Sequence, residues 1–345
     1  MSLHSEIFQQ PEVLAGLLDS QGKLIDSLAR AIQQRNVRYV FLVARGTSDN
    51  AARYANYLMG AFNRLPIALA TPSLFTLYQK PPRLQDALVI GVSQSGKSPD
   101  IVSVLEEGKR QGCLTLSITN APESPLAKAA DFVIDIQAGV EGAVAATKSY
   151  TAELMALAML SVAMEGNQQH KKELEAVPEW ISKVLQLDDH IASLANRYLF
   201  MNHCIVLGRG YNYSTAFEWS LKMKELAYVV AEPYSSADFR HGPIAVVDRA
   251  FPVMAVASQG ETYPDMLELL QRLKKEKKAE LLVISDQPEA VNLAQSPILM
   301  PKGIPEWVSP IVNIVPAQLF SYHLTRTKGY DTESPRGLTK VTETQ

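Results

Sequence analysis

The sequence predicts an α/β protein made of two tandem doubly wound parallel-sheet domains with an irregular carboxyl-terminal tail. Three observations predict it. Continuous apolar runs alternate with helix-like segments, which marks parallel strands covered on both faces. The same rhythm occurs twice along the chain. The residues that end corresponding strands also keep register: Gly46 and Gly210 are 164 residues apart, Ser93 and Ser258 165, and Asn120 and Asp286 166.

Taken in order, residues 1–36 read as an amino-terminal helical region. Residues 37–165 form the first domain, with strands over Tyr39 to Ala44, Ala87 to Ser93, Cys113 to Thr119 and Phe132 to Ile136. Residues 166–198 have a helical pattern and link the halves. Residues 199–330 form the second domain, with strands over Cys204 to Gly208, Phe251 to Ser258, Glu280 to Asp286 and Ile298 to Met300. Residues 331–345 lack periodicity and form the tail. At roughly 150 residues per domain, 345 residues suffice for two cores.

Lys plus Arg number 33 and Asp plus Glu 36, a net charge of −3, with 47% hydrophobic residues. No basic stripe points to a nucleic acid or a membrane surface, so an anionic ligand has to be met by local groups. The most apolar helical stretch, Ala152 to Met164, contains Glu153 and is too short to span a bilayer. The start, MSLHSEIFQQPEVL, lacks the basic-then-apolar pattern of a secretory signal, so a cytoplasmic location is expected. Cys113 and Cys204 sit in apolar runs and read as buried strand thiols without chemistry.

In an open parallel sheet, ligands bind beyond the carboxyl ends of the strands. Two loops in the first half have the composition of phosphate cradles: Arg45-Gly46-Thr47-Ser48-Asp49-Asn50 and Ser93-Gln94-Ser95-Gly96-Lys97-Ser98. Each joins a glycine, several hydroxyls and a following helix whose free N–H groups favour an anion. A single such Ser or Thr is more often a helix cap. Two hydroxyl-rich loops on neighbouring strands favour the phosphate. The second half has bulkier Gly210-Tyr211-Asn212-Tyr213, and its Ser258-Gln259-Gly260-Glu261-Thr262 places a carboxylate where an anion would be repelled. One phosphate site is expected, with the second half supplying catalytic groups.

Those groups lie in LKMKELAYVVAEPYSSADFRHGPIAVVD. Lys222 and Glu225, three apart, share a helix face. A surface ion pair is the ordinary outcome of that spacing, but the apolar flanks suggest burial, where a carboxylate beside a lysine is tuned for proton transfer. His241, in a Gly-Pro turn of the same segment, is an acid/base candidate. No clustering of ligands suggests a metal, and no cofactor is expected.

With these residues in place, the chain resembles the sugar isomerase (SIS) domain family, whose domains are flavodoxin-like, in the tandem arrangement of the isomerase half of glutamine:fructose-6-phosphate amidotransferase. The likeness runs from EIFQQP through SQSGKSPD, VAATKSYTAEL, LGRG, LKMKELAYVVAE and RHGP to SPRGLTKVTET. By that resemblance Thr47, Ser48, Ser93, Gln94, Ser95 and Ser98 hold a sugar phosphate, and Val144 and Ala146 border the sugar. The resemblance implies that Glu225 moves a proton between C1 and C2 and that Lys222 stabilises charge on the substrate oxygen. It assigns ring opening to His241 and a Schiff-base amine to Lys340, and it implies a homodimer with shared sites.

Two departures matter. The chain opens Met1-Ser2, where the amidotransferase has a cysteine-led glutaminase domain, so ammonia from glutamine is not expected. Ala146 stands where the family has a serine, which removes a hydroxyl from the sugar site. Deamination of glucosamine 6-phosphate to fructose 6-phosphate and ammonia is therefore the expected reaction, and the overall likeness to tandem SIS deaminases supports that direction. An aldose/ketose phosphate isomerase and a fructosamine-6-phosphate deglycase share the proton transfer, and a non-catalytic amino sugar phosphate sensor is the alternative of another class.

Overall fold

The computed structural model describes residues 2–340 of the chain; Met1 and residues 341–345, the end of the expected tail, lie outside it. In chain order the elements begin α1 (Leu3–Phe8), α2 (Gln10–Gln34), β1 (Tyr39–Val43), α3 (Gly46–Asn63), β2 (Ile67–Leu69), α4 (Ser73–Thr76), β3 (Ala87–Val92) and α5 (Pro99–Arg110). They continue with β4 (Leu114–Thr119), α6 (Pro125–Ala129), β5 (Phe132–Asp135), α7 (Lys148–Glu165), α8 (Gln168–Glu175), α9 (Val177–Leu185) and α10 (Asp188–Ala195). The second sheet is built from β6 (His203–Gly208), α11 (Tyr213–Ala227), β7 (Val230–Ser235), α12 (Ser236–Arg240), β8 (Pro252–Val256), α13 (Tyr263–Arg272), β9 (Glu280–Ser285), α14 (Pro288–Val291) and β10 (Ser296–Leu299), followed by α15 (Ser309–Thr327).

Both sheets are five-stranded and parallel throughout. The first has the order β2-β1-β3-β4-β5 and the second, read in the same sense, β7-β6-β8-β9-β10. This is one topology used twice, with the flavodoxin-like order 2-1-3-4-5, as the duplicated pattern predicts. The central strands read as apolar runs because both faces are covered: all six residues of β3 and all six of β4 are buried.

Each sheet has one strand more than the four per half expected from the sequence. The additions, β2 and β7, are edge strands that, unlike the edges β5 and β10, lack an apolar run for the reading to find. β2 has only three residues, two of them exposed. β7 carries Glu232 and Pro233 and exposes Val230; a proline is tolerated at an edge because its missing N–H breaks no second ladder.

The chain divides into two compact units. One contains residues 12–141, 148–176 and 339–340 and is built on the first sheet. Its core joins Phe41, Val43 and Val89 to Ile101, Val104 and Leu105 of α5. Helix α7 belongs to this unit and is buried on every side from Lys148 to Val162. The other unit contains residues 2–11, 142–147 and 177–338 and is built on the second sheet. Its core packs Leu207, Val253, Ala255, Leu281 and Val283 against Leu269, Leu270 and Leu273. Among the described residues no helix is long and apolar enough to cross a membrane. Both cysteines are free and buried, and burial pushes the Cys204 thiol up to about 12, so neither is a thiolate at neutral pH.

Candidate active site

In the first unit, strands β1 and β3 run side by side, with Phe41 opposite Val89. The strand order reverses here, since the chain passes from β1 outward to β2 and then back to β3. Such a switch point leaves a crevice at the carboxyl ends of the two strands. Gly46-Thr47-Ser48 opens α3 at the end of β1, and Ser93 to Ser98 joins β3 to α5.

The hydroxyls here are not caps. The residue preceding α3 is Arg45, and Ser98, which precedes α5, makes no side-chain cap bond. Ser93 Oγ accepts the Gly96 N–H at 3.1 Å, which folds the loop and leaves the serine hydrogen to donate elsewhere. Gly96 has φ +61, and a Cβ there would lie 2.1 Å from Ser124 Oγ, so only glycine fits. Among the described residues the Ser95 and Ser98 hydroxyls and the Gln94 amide have no side-chain hydrogen bond. They sit at the start of a twelve-residue helix whose dipole favours an anion. Thr47 is half-buried in the first turn of α3. Ser48 is differently committed, because its hydroxyl donates to the buried Glu153 Oε1 on α7 at 2.9 Å. It can accept a further bond but has to rotate to donate to a phosphate. Arg45 pairs with the fully buried Asp100 at 2.8 Å and ties the two loops together.

The second sheet repeats this pairing: Arg209, after β6, meets Asp265 in the first turn of α13 at 3.1 Å. Burial works against the Asp265 charge, but hydrogen bonds from Ser236 and Arg240 and the nearby guanidiniums hold its carboxyl below the usual range. The loop after β8 differs from its counterpart after β3. The Glu306 carboxylate accepts the Glu261 N–H at 2.8 Å, the Thr262 N–H at 3.2 Å and the Thr262 hydroxyl at 2.6 Å. A Cβ on Gly260 would collide with Glu306 at 2.2 Å. The sequence attributes the lack of an anion site here to repulsion by the Glu261 side chain; the structure gives another reason, since a carboxylate of the chain already occupies the backbone donors.

Helix α11 carries a buried charge cluster of the second unit. Lys222, 1% exposed, donates to Glu225 Oε2 at 2.6 Å and lies 3.3 Å from Glu218 Oε1. Burial opposes its charge, but the two carboxylates outweigh burial and push its pKa upward, so it is a fixed ammonium. Glu225 is partly open, with 23% of its side chain exposed, whereas Glu218 is fully buried. The expected Lys222–Glu225 pair thus forms. Glu218 was missed, although its spacing of four from Lys222 on the same helix is a signal the sequence carries.

His241 follows α12 on an exposed turn, its N–H bonded to the Asp238 carbonyl at 3.1 Å. Among the described residues its ring makes no hydrogen bond or ion pair with Lys222 or Glu225. Val144 and Ala146 are half-buried in the short segment 142–147 of the second unit. That segment is fastened at its start, where buried Glu6 accepts the Gly142 N–H at 2.5 Å and the Ala143 N–H at 3.3 Å.

Residues 331–340, the described part of the tail, are irregular and are tied down. Arg336 donates its N–H to the Tyr228 hydroxyl at 2.8 Å, and its guanidinium lies 4.0 Å from that ring, just past the end of α11. In the first unit, Lys340 Nζ pairs with Glu141 Oε2 at 2.9 Å. The same carboxylate accepts the Ser149 hydroxyl at 2.7 Å. Glu141 was also missed, and its distance of 199 residues from Lys340 gives the sequence no local signal.

The model of the SIS domain matches residues 34–163 and again 201–328. The chain belongs to the SIS domain family. Over 98% of its length it is 33% identical to glutamine–fructose-6-phosphate aminotransferase (isomerizing) of Bartonella henselae, and it spans 58% of that relative's length. The solved carboxyl-terminal domain of glucosamine-fructose-6-phosphate aminotransferase from Francisella tularensis is 30% identical, with a TM-score of 0.86 over 96% of this chain and 98% of that one. Glucosamine-6-phosphate deaminase from Thermotoga maritima superposes with a TM-score of 0.77 over the whole of both chains at 23% identity, a likeness of fold alone. This SIS chain therefore pairs two domains of one fold, as the isomerase half of the aminotransferases does.

Proposed function

We propose that the chain is a phosphosugar enzyme of the isomerase type, acting as a glucosamine-6-phosphate deaminase that yields fructose 6-phosphate and ammonia. The observation that carries this reading is a partly open carboxylate, Glu225, held beside a buried ammonium, Lys222, on one helix. A carboxylate in that setting is a proton shuttle, and a fixed cation stabilises charge that develops on oxygen. Relatives whose names carry fructose 6-phosphate support the sugar.

In the proposed sequence the substrate phosphate takes hydrogen bonds from Thr47, Ser93, Gln94, Ser95 and Ser98, and from Ser48 once its hydroxyl turns from Glu153, and His241 assists ring opening. Glu225 removes the C2 proton of the open-chain aldehyde and returns it to C1, while the Lys222 charge favours the enolic intermediate. One amine N–H proton passes to the C1 oxygen, so the product has a C1 alcohol and a C2 imine. Water then adds to C2 and ammonia leaves; alternatively the Lys340 amine displaces ammonia by transimination and water releases the lysine. The balance is one glucosamine 6-phosphate and one water in, one fructose 6-phosphate and one ammonia out. His241 is exposed in the single chain, which supports a second copy of the chain completing the site around it.

One observation favours the plain aldose/ketose isomerase instead: Lys340 is ion-paired with Glu141 rather than free to attack an imine. The purified chain is tested with glucosamine 6-phosphate, with ammonia and fructose 6-phosphate measured together. Equal amounts are expected. Interconversion of aldose and ketose phosphates without ammonia overturns the deaminase reading in favour of the isomerase.

A further inference from the structure

We propose that His4, Asp188 and His323 form a binding site for a divalent transition-metal ion of the zinc type, distant in kind from the phosphosugar chemistry. The three residues come from α1, the first turn of α10 and α15, all within the second unit. His4 Nε2 lies 2.9 Å from Asp188 Oδ2, and His323 Nε2 lies 2.6 Å from Asp188 Oδ1. All three donor atoms fall within 4.8 Å of one another.

Two imidazoles and one carboxylate are a donor set that zinc favours, with a fourth position left for water. Zinc–nitrogen and zinc–oxygen bonds of about 2.0–2.2 Å put neighbouring tetrahedral donors about 3.3 Å apart. The carboxylate–imidazole pairs, at 2.9 and 2.6 Å, would open by less than about 1 Å to reach that spacing. The side chains are 32%, 21% and 11% exposed, so the site is sheltered yet reachable from solvent. The rings of Phe8 and Tyr322 flank His4 at 4.7 and 4.9 Å and fix its orientation.

The site's place on α1 gives the ion a role. Leu3, next to His4, donates its N–H to both oxygens of Glu333 in the tail, at 3.1 and 3.0 Å. Glu6 of the same helix holds the backbone of Gly142 and Ala143, just before Val144 and Ala146. An ion bridging His4 to α10 and α15 thus fastens the helix that ties down both the tail and the segment 142–147.

The test uses the untagged full chain, stripped with chelator and then dialysed against Zn²⁺, with Co²⁺ as a spectroscopic probe. One tightly held equivalent of zinc per chain is expected, together with a Co²⁺ visible spectrum of four-coordinate nitrogen and oxygen ligation. His4→Gln, Asp188→Asn and His323→Gln are each expected to weaken binding about tenfold or more. His170→Gln is expected to leave binding unchanged, since that imidazole pairs with Glu165 and stacks on Phe62 elsewhere. If a variant does not fold, the wild-type Co²⁺ spectrum decides. Failure to retain zinc, a six-coordinate Co²⁺ spectrum, or retention undiminished in His4→Gln and His323→Gln overturns the proposal. None of these outcomes bears on ammonia release, so the site stands or falls separately from the proposed reaction.

Discussion

The loop after β3 and the loop after β8 occupy equivalent places in two sheets of one topology, yet they are finished differently. In the first, Ser93 folds the turn, and the side chains of Gln94, Ser95 and Ser98 have no partner within the described residues. In the second, the Glu306 carboxylate takes the Glu261 and Thr262 N–H groups and the Thr262 hydroxyl. Backbone donors at the start of a helix are satisfied by an anion. The second loop fills these donors with a carboxylate of its own chain, whereas in the first the Gly96 N–H is taken by Ser93 of the loop itself. The Arg45–Asp100 and Arg209–Asp265 pairs show that the shared scaffold has been kept under both. The two halves of a duplicated fold thus differ in what fills the loop at the switch point, while the scaffold beneath is the same.

The comparison is broken first at the amine that the first unit holds. Lys340→Ala is expected to lower ammonia release by on the order of 10²-fold if transimination is the route, with the fold intact by circular dichroism, because the amine that leaves Glu141 to displace ammonia is lost. Unchanged release would leave water as the sole agent at the imine. Next come the loop hydroxyls: Ser95→Ala and Ser98→Ala are each expected to raise KM roughly tenfold, since a hydrogen bond to a charged group is worth about 1.5–3 kcal/mol. A KM within twofold of wild type would remove the phosphate from this loop.

The remaining two act on stability. Gly96→Ala forces φ +61 on a Cβ aimed at Ser124 and is expected to cost about 1–3 kcal/mol in urea unfolding, with a raised KM. Glu306→Ala removes the carboxylate that accepts from the exposed Glu261 N–H and the half-buried Thr262 and is expected to cost about 0.5–1.5 kcal/mol, with KM for the sugar phosphate unchanged. A KM shift in Glu306→Ala comparable to that in Ser98→Ala would erase the distinction between the loops.

Much of the fold was legible in the sequence, for a physical reason. The runs in β1, β3, β4, β6, β8 and β9 are buried on both faces and so carry no alternation to confuse. β2 and β7 were illegible because β2 is three residues long and mostly exposed and β7 is interrupted by Glu232 and Pro233, which only an edge strand tolerates. In the site, Lys222 and Glu225 were legible because helical spacing fixes which side chains meet, and Glu218 obeys the same rule. Glu306 and Glu141 were not, because their partners lie 45 and 199 residues away and only the folded chain brings them together. The hydroxyl loops were legible as a composition, but their freedom from capping, and the commitment of Ser48 to Glu153, needed coordinates.

The central claim is that Glu225 moves the proton while other groups hold the substrate. It is tested most directly by measuring turnover and glucosamine 6-phosphate affinity on one preparation of Glu225→Gln. Turnover is expected to fall by about 10²–10⁴-fold, with the dissociation constant within a few-fold of the wild-type value. Turnover retained at the wild-type level would contradict the account.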